Sequence, residues 1–200
     1  MIIRKLFKFE GAHIVRNCSS DRCKKSLHGH SYIVEVKLTA DDIDNGQMIM
    51  DFGLVKKTIG DLVDSFDHAY SMWDREKPEF KSFIKNNSER WIEMPVSPSA
   101  EMYSLMFFAI AKRVIEKTKF CNGESNVRIH SVICHETTTG YAESFQEDYD
   151  NIWVKNGLKL EDIKFSQQIK DEWKDILTWG KLLDNTTEFS FFNSEVTPTH

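Results

Sequence analysis

The sequence lacks three features that would define its class at once: a long apolar run, an excess of basic residues and a dense set of cysteines. No apolar stretch approaches the roughly 18 residues that a membrane-spanning helix needs, and the N-terminal segment alternates apolar and charged residues, unlike a signal peptide. The 26 Lys and Arg are outnumbered by 31 Asp and Glu, so we expect no broad basic surface for nucleic acid. Four cysteines in 200 residues are too few for a disulfide scaffold. We therefore expect a reduced, cytoplasmic protein that binds neither nucleic acid nor membranes.

The composition is that of a globular domain with an appendage. Of the 200 residues, 40% are hydrophobic and 28% are charged, which is enough apolar material for a real core. No internal repeat or low-complexity tract is present. We place a single domain at residues 1–149 and a helical C-terminal extension at residues 150–200.

The extension contains apolar residues at helical spacing. They are Ile169, Trp173, Ile176, Leu177 and Leu183. We expect this amphipathic helix to end between residues 180 and 184 and to pack on the domain or on a neighbouring subunit.

Alternating polarity predicts strands over residues 2–10 and 32–38, and a closing pair over residues 127–134 and 141–145. Residues 71–95 are polar and irregular, so we expect no regular element there.

Two helices separate the predicted strand pairs. Asp51 is placed to cap the first, whose apolar stripe runs to Phe66, and Ser97 followed by Pro98 is expected to open the second. The predicted order is β-β-α-α-β-β, an α+β fold.

Three histidines stand near the start of the chain. His28 and His30 flank Gly29, and period two at the start of a strand puts both imidazoles on one face. His13 follows the first strand, so an antiparallel pairing of the first two strands would bring it to the other two. Three imidazoles leave one tetrahedral position open, which is typical of catalytic zinc. An isolated His-x-His is more often a chance surface pattern, but the third histidine favours a metal site.

Cys23 lies five residues before His28, in a loop that also contains Cys18. A thiol near a cation becomes a usable base or nucleophile, and the following Lys24 and Lys25 would favour the thiolate. The spacing of the two cysteines is equally compatible with structural ligands, a redox pair or spectators.

Two further groups are candidates for acid–base chemistry or recognition. Asp67 precedes His68, and a carboxylate that orients an imidazole forms an acid–base unit, although adjacent side chains rarely orient each other and a helix C-terminus would also favour an imidazolium. Glu136 stands in a predicted strand of mixed polarity, and its carboxylate could accept two parallel hydrogen bonds from an amidine-like N–H pair such as that of a pterin or guanine. We interpret His130 and His135 as structural.

Read together, six segments resemble one known family, the 6-pyruvoyltetrahydropterin and 6-carboxytetrahydropterin synthases, over roughly residues 2–147. The segments are Phe9-Glu10-Gly11-Ala12-His13, Cys23 with Leu27-His28-Gly29-His30-Ser31-Tyr32, Met50-Asp51-Phe52-Gly53, Asp67-His68, Ser99-Ala100-Glu101 and His135-Glu136-Thr137. The resemblance implies a tunnelling fold (T-fold), with a four-stranded antiparallel sheet and two helices on one face. It also implies a homo-oligomer, most simply a hexamer of two stacked trimers, with active sites between subunits.

The resemblance further implies roles for individual residues. His13, His28 and His30 would bind Zn2+. Cys23 would transfer protons together with His68 and Asp67, the pair meeting the cysteine of a neighbouring chain. Glu136 would anchor the pterin ring, and Glu101 and Ser99 would line the same pocket.

The implied reaction converts 7,8-dihydroneopterin triphosphate to 6-carboxy-5,6,7,8-tetrahydropterin with release of acetaldehyde and triphosphate, toward queuosine. Triphosphate elimination alone, giving 6-pyruvoyltetrahydropterin, is the alternative, because the four residues between Cys23 and His28 are intermediate between the spacings of the two branches. Two readings of other classes are a zinc-stabilised pterin-binding protein without turnover and a zinc hydrolase in which Glu10 or Glu136 activates water.

Overall fold

A hairpin of two 12-residue strands forms the centre of the structure, a computed structural model that describes residues 1–173, 182 and 191–192. The strands β1 (Ile2–His13) and β2 (His28–Thr39) pair antiparallel along their whole length, from Ile2 opposite Thr39 to His13 opposite His28. Both strands are longer than the sequence pattern predicts, and His13 is the last residue of β1 rather than a loop residue beyond it.

Further elements follow along the chain, together with a π-helical turn at Tyr149–Val154 and a 3-10 turn at Leu160–Asp162. They are α1 (Asp21–Lys25, between β1 and β2), α2 (Phe52–Asp64), β3 (Ala69–Trp73), α3 (Pro78–Asn87), β4 (Trp91–Met94), α4 (Ala100–Glu116), β5 (Thr118–Lys119), β6 (Arg128–His135), β7 (Tyr141–Ser144), α5 (Gln146–Asp148), β8 (Lys164–Phe165), α6 (Gln167–Glu172) and β9 (Phe191–Phe192).

The predicted antiparallel strands are present as β7-β6-β2-β1, and this unit defines an α+β T-fold. The apolar face of β2 is fully buried in the main core, to which α2 and α4 also contribute. As predicted, Asp51 caps α2 by accepting a hydrogen bond from the amide of Gly53 at 2.6 Å. The cap of α4 is Ser99, not Ser97, because the Ser99 hydroxyl accepts the Met102 amide at 3.4 Å.

The sheet has seven strands rather than the predicted four, because β3, β4 and β8 extend it in the order β7-β6-β2-β1-β3-β4-β8. The expectation that residues 71–95 are irregular is therefore wrong, as is the simple order β-β-α-α-β-β. Strand β3 is buried on both faces: Ala69 lies in the main core, whereas Tyr70 and Met72 pack with Ile84 of α3 in a second cluster. A strand buried on both faces shows no alternation of polarity, which is why the pattern did not predict it.

The C-terminal extension packs on the same core as the domain. Strand β8 pairs with β4, and residues from the extension that are buried in the main core include Trp153, Phe165 and Ile169. Helix α6 ends at Glu172, because Trp173 adopts an extended conformation with ψ of 123°; the prediction that one helix continues through Trp173 is wrong. Ile176, Leu177, Leu183 and the expected helix end at 180–184 lie outside the described residues, and the domain boundary after residue 149 stays a prediction.

Candidate metal centre and active site

The register of the central hairpin brings the three histidines together. His13 lies directly opposite His28, and His30 lies opposite Gly11. One ligand nitrogen from each of the three rings lies within 4.8 Å of the others. This confirms the prediction that the pattern of His13, His28 and His30 forms one cluster that could hold a metal ion.

Gly29 separates two of these histidines for a steric reason. A Cβ atom at this position would lie 2.8 Å from the carbonyl oxygen of Gly11 on β1. Because that oxygen belongs to the backbone, it cannot move aside without shifting the strand. The absence of a side chain at Gly29 therefore allows the close approach of β1 and β2 on which the cluster depends.

The histidines are oriented by backbone carbonyls. Nδ1 of His13 lies 2.5 Å from the carbonyl oxygen of Pro98, and Nδ1 of His28 lies 2.9 Å from that of Ser26. A carbonyl can only accept, so Nδ1 carries the proton and Nε2 is left as the ligand atom in both rings. This donor set fits a metal that prefers imidazole ligands.

His13 is completely buried, and its charge state suits a ligand. Burial lowers the pKa of His13 to about 4, helped by the charges of His28 and His30 and opposed by the hydrogen bond to Pro98. The ring is therefore neutral at pH 7, as a metal ligand must be. The hydroxyl of Tyr32 lies 3.2 Å from Nδ1 of His13; we did not predict this contact, although Tyr32 follows His30 by two residues on the same face of β2.

Glu136 lies beside the cluster. Its Oε1 atom is 3.7 Å from Nε2 of His13 and 3.9 Å from Nε2 of His30. The residue follows β6 directly and is held in the turn to β7, where its amide donates to the carbonyl of Gly140 at 3.1 Å. The carboxylate is about one-third exposed, so it is accessible to a bound molecule.

Asp67 and His68 contact each other directly. Nδ1 of His68 lies 2.8 Å from Oδ2 of Asp67, so the expectation that these neighbours do not orient each other is wrong. The reason is the backbone of His68, whose φ of +53° is in the left-handed region and brings the two side chains to one side. Glu10 of β1 fixes this turn, since its amide donates to Oδ1 of Asp67 and its carbonyl accepts from the amide of His68, both at 2.7 Å.

The carboxyl of Asp67 remains ionised well into the acidic range. Burial acts to raise the pKa of Asp67, but the Glu10 amide, the His68 ring and the charge of Arg90 outweigh it and hold this pKa below its ordinary value. A stable carboxylate at this position can stabilise an imidazolium on His68.

One open cleft of about 460 Å³ joins the histidine cluster to the acid–base pair. His30, from the cluster, and His68 both line it, together with Glu10, Ser31 and Tyr70. A small molecule in this cleft would meet both groups within a single chain.

Cys23 lies on α1, in a segment predicted as loop. Its carbonyl accepts the amide of Val15 at 3.1 Å, which holds α1 close to the end of β1. Lys24 and Lys25 both bind the carboxylate of Asp21, at 2.8 and 3.0 Å, because a helix places residues three and four apart on one side. The expectation that their two positive charges act on the thiol is therefore not supported, since Asp21 partly neutralises them.

The remaining candidates make local contacts. The Cys18 thiol donates to the carbonyl of Ser20 at 3.3 Å. Ser99 acts as the helix cap of α4, directly after Pro98, and Glu101 is exposed in the first turn of that helix. His135 contacts Glu35 of β2 at 2.9 Å, in keeping with a structural role.

Solved structures show the same fold. An uncharacterized protein from Wolinella succinogenes superimposes with a TM-score of 0.60 at 17% sequence identity, covering 73% of this chain and 98% of its own. A 6-pyruvoyl tetrahydropterin synthase from Caenorhabditis elegans gives a TM-score of 0.51 at 21% identity, covering 72% of this chain and 94% of its own. At these identities the likeness establishes the T-fold alone.

Sequence similarity defines the family. A profile of the 6-pyruvoyl tetrahydropterin synthase family matches residues 2–147. A Helicobacter pylori J99 protein named 6-carboxy-5,6,7,8-tetrahydropterin synthase is 40% identical over 200 residues, covering all of this chain and 98% of its own. A protein of the same name from Aquifex aeolicus is 30% identical over 161 residues, covering 72% of this chain and 98% of its own. The chain belongs to the 6-pyruvoyl tetrahydropterin synthase family and is a lyase that acts on a pterin, not a zinc hydrolase or a binding protein without turnover.

No helix within the described part of the chain is both long enough and apolar enough to cross a membrane.

Proposed function

We propose that this enzyme converts 7,8-dihydroneopterin triphosphate and water to 6-carboxy-5,6,7,8-tetrahydropterin, acetaldehyde and triphosphate. The observation that supports this branch of the family is the 40% identity, over the whole chain, to a relative named for that product. The product has the chemistry of a precursor of 7-deazaguanine nucleosides such as queuosine, and the reaction takes place in the cytoplasm.

Zn2+ is the proposed cofactor, held by Nε2 of His13 and His28 and by the ring of His30. When bound, zinc supplies Lewis-acid polarisation of the oxygens on the substrate side chain. The proposal is supported by the neutral, carbonyl-oriented rings described above.

Glu136 is the proposed anchor of the pterin ring. Its carboxylate can accept two parallel N–H bonds from the 2-amino group and N3 of the pterin. Because Oε1 lies within 4 Å of two cluster histidines, a pterin held there would place its side chain next to the metal ligands. Glu101 and Ser99, at the start of α4, would complete the wall of this pocket.

Proton transfer is assigned to Cys23, His68 and Asp67. The Cys23 thiolate removes a proton from carbon in the side chain, and His68 exchanges a proton with a side-chain hydroxyl. Asp67 holds the His68 ring through Nδ1 and stabilises its protonated form. Because Nδ1 of His68 is bound to Asp67, Nε2 is the ring nitrogen that would exchange the proton with the substrate.

A homo-oligomer, most simply a hexamer, is the proposed assembly. Among the described residues, β1 has a second neighbour only over Gly11–His13, so the outer edge of residues 2–10 is unpaired. Strand β7, at the end of the sheet, presents another open edge. Pairing of these edges between subunits would close a ring.

The products decide between the two branches. Purified enzyme loaded with zinc is incubated with 7,8-dihydroneopterin triphosphate, and acetaldehyde, triphosphate and the pterin product are measured. Acetaldehyde in equal amount to triphosphate is expected. Triphosphate with 6-pyruvoyltetrahydropterin and no acetaldehyde would instead establish the alternative, which the intermediate spacing of Cys23 and His28 leaves open.

A further inference from the structure

Arg90 is placed to control the turn that holds the acid–base pair. It lies just before β4, in the segment 71–95 that was expected to be irregular. Its Nε donates to the carbonyl of Asp67 at 2.8 Å, and its second terminal nitrogen donates to the carbonyls of Asp64 and Ser65 at 3.1 and 3.3 Å. One guanidinium therefore binds three backbone carbonyls of the turn that connects α2 to β3.

The C-terminal extension completes this arrangement. The other terminal nitrogen of Arg90 is hydrogen-bonded to the carboxylate of Glu172, at the end of α6. The next residue, Trp173, donates from its indole nitrogen to the buried hydroxyl of Ser65 at 2.9 Å. The turn is thus bound directly by Arg90 of the segment 71–95 and by Trp173 of the extension, while Glu172 binds Arg90.

This turn has a conformation that needs support. His68 has a positive φ of 53°, which is unfavourable for a residue with a Cβ atom. The direct contact between Nδ1 of His68 and Asp67 depends on that conformation. Glu10 of β1 secures the turn through two hydrogen bonds, and Arg90 secures it through the carbonyls of Asp64, Ser65 and Asp67.

We infer that Arg90 is a positioning residue for Asp67 and His68, and that Glu172 of the C-terminal extension holds Arg90 in place for this task. The inference rests on the proposed function, in which His68 transfers a proton. It gives the segment 71–95 and the extension a shared purpose, the positioning of the acid–base pair. The charged groups that face the Asp67 carboxylate are His68 on the same turn and Arg90; from β1 it receives the Glu10 amide.

The kinetic test compares Arg90→Gln with Arg128→Gln, the same change at an exposed arginine paired with Asp41 far from the turn. For Arg90→Gln we expect kcat to fall about ten- to a hundredfold, the loss typical of small misplacements of a catalytic group, with KM within about twofold and metal content unchanged. Because the positive charge near Asp67 is lost, the acid limb of the kcat profile moves to higher pH. Arg90→Lys keeps the positive charge but not the planar guanidinium, so its kcat is expected to lie between those of Arg90→Gln and Arg128→Gln.

A second measurement is independent of activity. The 15N shifts of the His68 ring in the zinc-loaded enzyme, assigned by their absence in His68→Gln, report which nitrogen is protonated. The wild type is expected to show one tautomer with the proton on Nδ1, and Arg90→Gln a mixture of both. If the wild-type enzyme fails to convert 7,8-dihydroneopterin triphosphate, the proposed function is wrong, but the tautomer measurement still decides the role of Arg90.

Three results would overturn the inference. The first is an Arg90→Gln enzyme with the kcat and ring shifts of Arg128→Gln. The second is full activity in Arg90→Lys, which would reduce the role of Arg90 to its charge. If Arg90→Gln does not fold, Glu172→Gln replaces it. For Glu172→Gln we expect kcat to fall about threefold and the His68 ring shifts to move in the same direction as expected for Arg90→Gln. The third overturning result is a Glu172→Gln enzyme with unchanged kcat and unchanged ring shifts.

Discussion

His13 is the direct cross-strand partner of His28, at the last pair of the β1–β2 ladder. Because the ladder fixes this pair, removal of either ring destroys the proposed metal site. For His28→Ala we expect metal content and activity to be lost together, measured by elemental analysis of the purified protein and by the product assay. The control is His130→Ala, an exposed histidine near Phe145, which should keep both. A His28→Ala protein with full zinc occupancy would refute the ligand assignment.

Gly29 provides a test that leaves all three ligands in place. In Gly29→Ala the new Cβ would lie 2.8 Å from the Gly11 carbonyl, so β1 and β2 must move apart by a few tenths of an ångström. We expect zinc affinity to fall about 10- to 100-fold, the range seen when the support of metal ligands is disturbed, as measured by competition with a chelator. Gly46→Ala, whose Cβ would meet only side-chain atoms, the Asp44 carboxylate and the Met48 methyl group, both at 3.3 Å, should retain wild-type affinity; equal loss in both variants would contradict the steric argument.

The two thiols of the α1 segment are expected to behave differently. Cys23→Ala should fold, keep its zinc and bind pterin through Glu136, while kcat falls by roughly two to four orders of magnitude, as expected for loss of a general acid–base group. Cys18→Ala should lose little activity, because its thiol is already occupied with the Ser20 carbonyl. The opposite result would make Cys18 the catalytic thiol, and full activity in both variants would assign proton transfer to another group.

Subunit mixing tests whether active sites are shared. Cys23→Ala and His68→Ala are each expected to be inactive. If the two residues act across a subunit interface, dissociating and reassociating a mixture should restore part of the wild-type activity. Light scattering on each protein at micromolar concentration provides the control for assembly. A monomer in that measurement would exclude a shared site.

Glu93 predicts a specific dependence of stability on pH. It is buried in β4 and bound by Lys85 and Lys81 of α3 at 2.8 and 3.1 Å. Burial acts to raise the pKa of Glu93, but the two lysines outweigh it and hold this pKa below its ordinary value of 4.5. Its carboxylate therefore stabilises the fold above about pH 4.5, and this contribution is lost as the pH falls through the lowered pKa.

Denaturant unfolding of Glu93→Gln measures that contribution. At pH 7 we expect the variant to be less stable by about 1.5–3 kcal/mol, the scale of a hydrogen bond to a charged group, and the difference from wild type should shrink as the pH is lowered below 4. Glu147→Gln, at an exposed position of α5, should follow the wild type throughout. A constant difference between Glu93→Gln and wild type at every pH would contradict the argument.

The parts of the fold that follow from short-range patterns could be predicted. The alternation in β2 and the helical stripe after Asp51 are each visible over about ten residues. The histidine cluster could be predicted for the same reason, since it depends on period two and one hairpin. Strand β3 could not, because burial on both faces removes the alternation on which such predictions depend.

The acid–base turn depends on information that is not local. The contact between Asp67 and His68 needs a positive φ at His68, and the bonds that hold the turn come from Glu10, Arg90 and Trp173. Nothing in the neighbouring sequence indicates those partners. The same is true of Pro98, whose carbonyl orients His13 from 85 positions away.

The difference in sequence separation has a consequence for the order of folding. The proposed zinc ligands belong to one hairpin, in which only the 14 residues from Ile14 to Leu27 must close into a loop. The turn at Asp67, in contrast, is bound by residues distant in sequence, since Trp173 lies 108 positions from its partner Ser65. Contacts between residues close in sequence form early, because short loops cost little entropy to close, and contacts between distant residues form late. During refolding, zinc uptake should therefore be complete before the extension docks on Arg90, and catalytic activity should return only with that final step.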